Sequence, residues 1–239
     1  MTYKAVFFDF DYTLGDATDA IMAGFTHGLT LLGWPAPERE AVRRTVGQPL
    51  EVAYEGLTGD KDPAHQARFR EAFSSVARPM QANGVPLFPG AEALLRALHA
   101  AGVHVAVAST KQRHTLEKIL GAHGLMEVLD FVIGGDCVAN MKPAPDCVLL
   151  GLERLGLTPE EVLFCGDTTI DAATAQAAGC DFAAVLNGTT PAEAFAAYPS
   201  VCIARDLPAL QAFLGLQTEK RRPAMPGGAF FISIGCTCG

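Results

Sequence analysis

Positive charge is in short supply. Lysine and arginine total 18 against 26 aspartates and glutamates, so 239 residues carry a formal net charge of −8. A nucleic-acid groove, or a surface that adheres to anionic lipid, needs clustered cations; neither kind of partner is expected. Any anion handled here must be held by a local device such as a metal ion. No apolar run reaches the length of a membrane span, no secretory leader precedes Tyr3, and no segment repeats. The six histidines (His27, His65, His99, His104, His114, His123) show no paired ligand spacing and read as surface or packing residues. Cysteine is present but odd in number: Cys137, Cys147, Cys165, Cys180, Cys202, Cys236 and Cys238. Five lie in or beside apolar runs, and the expectation is reduced thiols in a cytoplasmic protein.

Hydrophobic residues make up 49% and charged residues 18%, a globular balance. From Pro86 onward, short apolar runs alternate with helical patterns. "HVAVAST", "FVIGG", "VLFCGD", "FAAVLNG" and "VCIA" read as strands apolar throughout, as in sheets covered on both faces. Between them Leu94, Leu95 and Leu98 share a helix face, as do Leu116, Ile119 and Leu120, and Val148, Leu152 and Leu155. Thr158 with Glu161 forms a capping-box pattern. With "KAVFFDF" as first strand, this is an α/β fold: a parallel sheet wrapped by helices.

Residues 16–83 break the alternation. Ile21, Phe25, Leu29 and Leu32 mark one amphipathic helix; "PEREAVRRTV", "PLEVAYEGL" and "DPAHQARFREAFSSVA" read as three more, with Pro63 in a first turn. An all-helical insert of this size suggests a lid, hinged near residues 14–16 and in "NGVPLFPG". The expected division is a core of residues 1–15 and 84–216, a helical cap of 16–83, and a tail of 217–239 without assigned role. The tail's Lys220, Arg221 and Arg222 read as solvated, and Cys236 with Cys238 lacks two further nearby ligands.

Polar residues cluster where strands end. Asp9, Asp11 and Thr13 follow the first; Ser109, Thr110 and Lys111 the second; Lys142 the third; Asp167 and Asp171 the fourth. Ligands of open α/β sheets bind at the carboxyl ends of the strands, so these groups can meet in one crevice. Two carboxylates as close as Asp9 and Asp11 repel each other and cost desolvation unless a cation neutralises them. With Asp167 as a further oxygen ligand, an oxygen-rich set without sulfur or histidine suits Mg²⁺.

In order, "DFDYT", Ser109, Lys142 and "GDTTID" match the four motifs of the haloacid dehalogenase-like superfamily, which the chain strongly resembles from Tyr3 to Leu214. The insert looks like that family's C1 cap on a Rossmann-like core. "DYTLGD" and "GQPL" are similar to the branch containing phosphoglycolate phosphatases and β-phosphoglucomutases. The resemblance implies Asp9 as a nucleophile forming an aspartyl-phosphate and Asp11 as general acid and base. It implies Mg²⁺ held by the Asp9 and Asp167 carboxylates and the Asp11 carbonyl. Ser109 and Lys142 would bind the phosphoryl group. Asp171 would orient metal-bound water or Lys142, and Thr13 would fix the turn. The implied substrate is a small phosphorylated metabolite, and the protein a monomer or homodimer.

Each residue has a structural reading too. Asp16 reads as a helix cap; Ser109 and Thr110 are also cap candidates. Lys111 reads as solvated, and Cys165 as strand core. Tyr12 replaces a residue commonly glycine in this branch, and its ring would narrow the site mouth or touch the cap. Asp11 argues against a dehalogenase, which needs no acid. Lys61, the single lysine between Asp16 and Pro86, sits badly for a phosphonatase Schiff base. Hydrolysis of a small phosphate monoester leads, a phosphomutase is second, and a non-catalytic binding protein on the same fold is third.

Overall fold

A computed structural model describes residues 3–82 and 84–216. Its centre is a six-stranded sheet, with strands β1 (Ala5–Phe8), β2 (His104–Ala108), β3 (Phe131–Ile133), β4 (Val162–Gly166), β5 (Asp181–Val185) and β6 (Cys202–Ala204) in the order β3-β2-β1-β4-β5-β6. Every pairing is parallel. Parallel neighbours need crossovers, and the helices between strands supply them.

Alternation along the strands separates two apolar faces. Val6, Phe8, Val105, Val107, Leu163 and Cys165 join one buried cluster with α5 (Ala91–Ala100), α6 (Arg113–Ala122) and α9 (Leu207–Phe213). Ala5, Phe7, Ala106, Ala108 and Phe164 join the other with α7 (Asp146–Leu155) and α8 (Thr169–Ala178). The expectation of cover on both faces holds for the central strands and fails at the edge, where Ile203 of β6 is 43% exposed. Thr158 and Glu161 form the expected capping box, on a single 3₁₀ turn. Among the described residues no helix is long and apolar enough to cross a membrane, and Cys137, Cys147, Cys165, Cys180 and Cys202 are free thiols. The basic triplet, Cys236 and Cys238 lie outside the described residues.

Between β1 and α5 the chain is helical: α1 (Thr18–Leu31), α2 (Arg39–Arg43), α3 (Leu50–Thr58) and α4 (Pro63–Ala82). The second is half the expected length, because residues 44–48 turn and Gly47 adopts φ +93°. Helices α1 and α4 pack through Phe25, Phe69 and Phe73, with ring centroids 5.3 to 6.0 Å apart. A Cβ at Gly24 would lie 2.6 Å from the Phe73 ring, so glycine there sets how closely the helices approach. The two connections to the sheet run side by side: Asp16 N–H donates to Pro86 O and Phe88 N–H to Leu14 O, both at 2.9 Å.

Candidate active site

Register aligns the reactive positions. Phe8, the last residue of β1, pairs with Val107 and with Cys165, so β1 ends within one residue of β2 and β4. Asp9, Ser109 and Asp167 are the first residues beyond those strands. Asp9 N–H donates to Cys165 O at 2.8 Å and Ser109 N–H to Ile133 O at 3.0 Å, extending the ladder one step and fixing where each side chain leaves the sheet.

Below this edge lies an acidic pit. Asp9, Asp167 and Asp171 are 2%, 1% and 1% exposed, and one carboxylate oxygen from each lies within 4.8 Å of the others. Lys142, equally buried, donates to Asp9 Oδ1 at 2.7 Å and to Asp171 Oδ1 at 2.5 Å. The other Asp171 oxygen accepts from Thr168 N–H and Oγ1–H at 3.1 and 2.6 Å, a capping box that starts α8. Asp171 is thus held as a clamp on Lys142. Thr13 Oγ1 donates to Asp167 Oδ1 at 3.2 Å, while the buried Asp167 Oδ2 has no partner.

The electrostatics follow from burial. Desolvation pushes Asp9 up to about 6, against the pull of Lys142 and with Asp171 adding repulsion. Burial, then Asp171 and Asp9, raises Asp167 well above the carboxylate range. Burial works against the Lys142 charge, yet Asp171 and Asp9 outweigh it and hold its pKa above the ordinary value. Three carboxylates face one ammonium, and one buried acceptor is unsatisfied. Hard oxygen donors and missing positive charge fit a divalent cation.

Asp11 points elsewhere. It lines a cavity of about 370 Å³ between the helical block and the sheet edge. Its Oδ2 pairs with Lys111 Nζ at 3.0 Å, and its Oδ1 is buried without a partner. The expectation that Lys111 is solvated is corrected here: its side chain is 10% exposed and also donates to Gln81 Oε1 of α4 at 3.3 Å. The carboxylates that cluster are those of Asp9, Asp167 and Asp171; the expected metal set used the Asp11 carbonyl and not its carboxylate.

At α6 the capping bond goes to another residue than those expected, whereas at α1 Asp16 does bond the first helical N–H. Asp136 Oδ1 accepts from Arg113 N–H at 2.8 Å to start α6, leaving Ser109 and Thr110 uncommitted to that role. Asp16 Oδ1 accepts from Thr18 N–H at 2.9 Å, one residue outside the α1 cap position held by Ala17. Tyr12 adopts φ +59°, the left-handed conformation that glycine takes without cost. Its hydroxyl lies 2.7 Å from Thr18 Oγ1 and accepts from Arg43 Nε at 3.3 Å, and the Arg43 guanidinium sits over the ring. The ring therefore meets the helical block, as one of the two expectations had it. Gly188, missed in the sequence, follows β5 beside the pit; a Cβ there would lie 2.0 Å from Asp167 Oδ2. The signal was its place after a strand at the same sheet edge.

Residues 6–185 match the family model described as haloacid dehalogenase-like hydrolase. The chain belongs to that family. It is 35% identical over 179 residues to the "Probable phosphatase IndB" of Dickeya dadantii, covering 73% of this chain and 77% of that one. It is 33% identical to a phosphoglycolate phosphatase of Salmonella paratyphi A, covering 77% of this chain and 68% of the relative. A provisionally assigned haloacid dehalogenase-like hydrolase from Bacteroides fragilis superposes with TM-score 0.84 at 38% identity, over 87% of this chain and 99% of that one.

Proposed function

We propose that the protein is a Mg²⁺-dependent phosphatase of small phosphate monoesters, with residues 16–83 acting as a cap over the site. The family and its phosphatase relatives support the reaction class. The observation that carries the mechanism is the division between two neighbouring aspartates: Asp9 sits against Lys142 in the pit, whereas Asp11 lines the cavity and pairs with Lys111 instead. That division supports a reading in which one attacks phosphorus and the other meets a leaving group.

Asp9 attacks, forming an aspartyl-phosphate as the bond from phosphorus to the ester oxygen breaks. Asp11 gives that oxygen a proton and the alcohol departs. Asp11 then takes a proton from water as the water attacks phosphorus, returning Asp9 and releasing inorganic phosphate. Ser109 donates a hydrogen bond to a phosphoryl oxygen, and Lys142 holds Asp9 while countering the charge of the phosphate. Asp171 keeps Lys142 in place. Asp9, Asp167 and the Asp11 carbonyl would hold a divalent cation, whose charge would offset repulsion between carboxylate and phosphate.

The test is release of phosphate from a generic aryl phosphate by the full chain, with and without Mg²⁺, beside Asp9→Asn. Metal-dependent release that the variant lacks is expected; its absence in wild type would leave a binding protein. Conversion of a hexose 1-phosphate to the 6-phosphate isomer would instead make it a mutase.

A further inference from the structure

The cavity above Asp11 has a direction. On α4, Phe73, Ala77 and Gln81 line it at helical spacing, one face of one helix. Gln81 marks the chemical end, through its bond to Lys111 and so to Asp11. Arg70 also lines the cavity and marks the far end, eleven residues back and therefore about 16 Å away along the axis. Its charge is already matched, since Arg70 Nε donates to Glu51 Oε1 at 2.5 Å.

Between the two ends one part of the wall is apolar, beside Thr45, Gln48, Ser74 and Arg78. Phe73 meets Phe25 edge to face at 5.3 Å, and Ile21 and Leu50 line the same space. A leaving group of two carbons that starts at Asp11 contacts only the Lys111–Gln81 end. It leaves the part-exposed Phe73 ring, which is backed by the buried Phe25, without a partner, and a longer apolar body would gain burial free energy there.

We propose that the preferred substrates are phosphate monoesters whose alcohol carries an apolar body longer than two carbons, selected by contact with Phe73, which Phe25 holds in place. The inference rests on the phosphatase reading and deepens it. The ester phosphate sits at the sheet edge, the leaving oxygen at Asp11, and the apolar body along α4 toward Arg70. Selection acts through contacts shared by the bound and reacting states, so it is read in kcat/KM.

The experiment compares ethyl, butyl, hexyl and octyl phosphate with phosphoglycolate, using the full chain with Mg²⁺. From ethyl to hexyl phosphate, kcat/KM is expected to rise about fourfold per methylene, the factor that burial of one such group corresponds to. Phosphoglycolate is expected to fall below hexyl phosphate. In Phe73→Ala the ratio of hexyl to ethyl phosphate should drop at least tenfold, and Phe73→Leu should recover most of it. Thermal melting of each variant separates selection from lost fold, and the wild-type series needs no variant at all. A flat or falling series, or phosphoglycolate as the best substrate, overturns the inference and leaves the phosphatase standing. Hydrolysis of none of these esters overturns both.

Discussion

The acidic pit and the cavity above it share an edge but are built on opposite terms. In the pit, charged groups hold each other: Lys142 bridges Asp9 and Asp171, Thr168 fixes Asp171, and Thr13 fixes Asp167. In the cavity, apolar side chains from separate helices leave space, and one ion pair, Asp11 with Lys111, joins floor to helices through Gln81. Chemistry demands fixed geometry, whereas choice of leaving group needs only shape and polarity. The two regions should therefore respond differently to substitution.

The largest effect belongs to the pit. Asp9→Asn should lower phosphate release by about four orders of magnitude or more, and Asp11→Asn by about two to four, in line with losing a nucleophile or a general acid. Steady-state release of inorganic phosphate measures both. Equal and slight losses would dissolve the contrast between machinery and wall.

Stability gives the next contrast. Lys142→Met leaves two buried carboxylates without their cation, which should cost about 3–5 kcal/mol in urea unfolding. Breaking an exposed pair such as Lys4 with Glu161, whose lysine side chain is 64% exposed and screened by solvent, should change urea unfolding far less. A Lys142 variant as stable as wild type would mean that the pit does not depend on the bridge.

Cation binding sharpens the comparison through its pH dependence. Asp9 and Asp167 bind protons more tightly in the folded protein than in the unfolded chain, because burial raises both. Their contribution to stability is complete below the unfolded value and is lost as pH rises through the folded one; for Asp9 that window runs from 3.8 to about 6. Without metal the fold should weaken across it. Mg²⁺ at about a hundredfold excess over its Kd should restore roughly 2.7 kcal/mol, with a larger shift in Tm at pH 8 than at pH 5, since protons compete for the same oxygens. Asp167→Asn should abolish the shift and, in chelator at pH 8, melt above wild type. A shift indifferent to pH, or one that survives in the variant, would place the cation elsewhere.

The same contrast explains what could be read from the chain alone. Asp9, Ser109, Lys142 and Asp167 were legible because strand ends and local spacing announce them; parallel register sets Asp9, Ser109 and Asp167 at one edge, and Lys142 joins through its bonds to Asp9 and Asp171. The four helices of the insert were legible from the sequence, apart from the lengths of α2, which is shorter than expected, and of α4, which runs on to Ala82 and so carries Gln81. Lys111 was not: whether a lysine after a strand faces water or a carboxylate depends on Gln81, thirty residues earlier on another element. Gly188 was missed for a related reason, because its close approach to Asp167 arises only once β5 lies beside β4. Cavity walls are assembled from tertiary contacts of this kind, and no local pattern encodes them.

Tyr12 tests how far the two regions communicate. It stands in the loop between Asp11 and Thr13, yet its hydroxyl is bonded into the helical block through Thr18 and Arg43. Tyr12→Phe keeps ring and backbone and removes those bonds, so it should cost about 1 kcal/mol in unfolding. Tyr12→Gly relieves the left-handed strain but removes a ring that is 3% exposed, so packing loss should outweigh the roughly 1–2 kcal/mol of relief. If the loop and the helices act as one unit, Tyr12→Phe should change kcat and KM together while the Mg²⁺-dependent shift in Tm stays as in wild type. A Phe variant that alters the metal shift instead would show that the tyrosine serves the pit, and that the border between the two regions runs on the other side of residue 12.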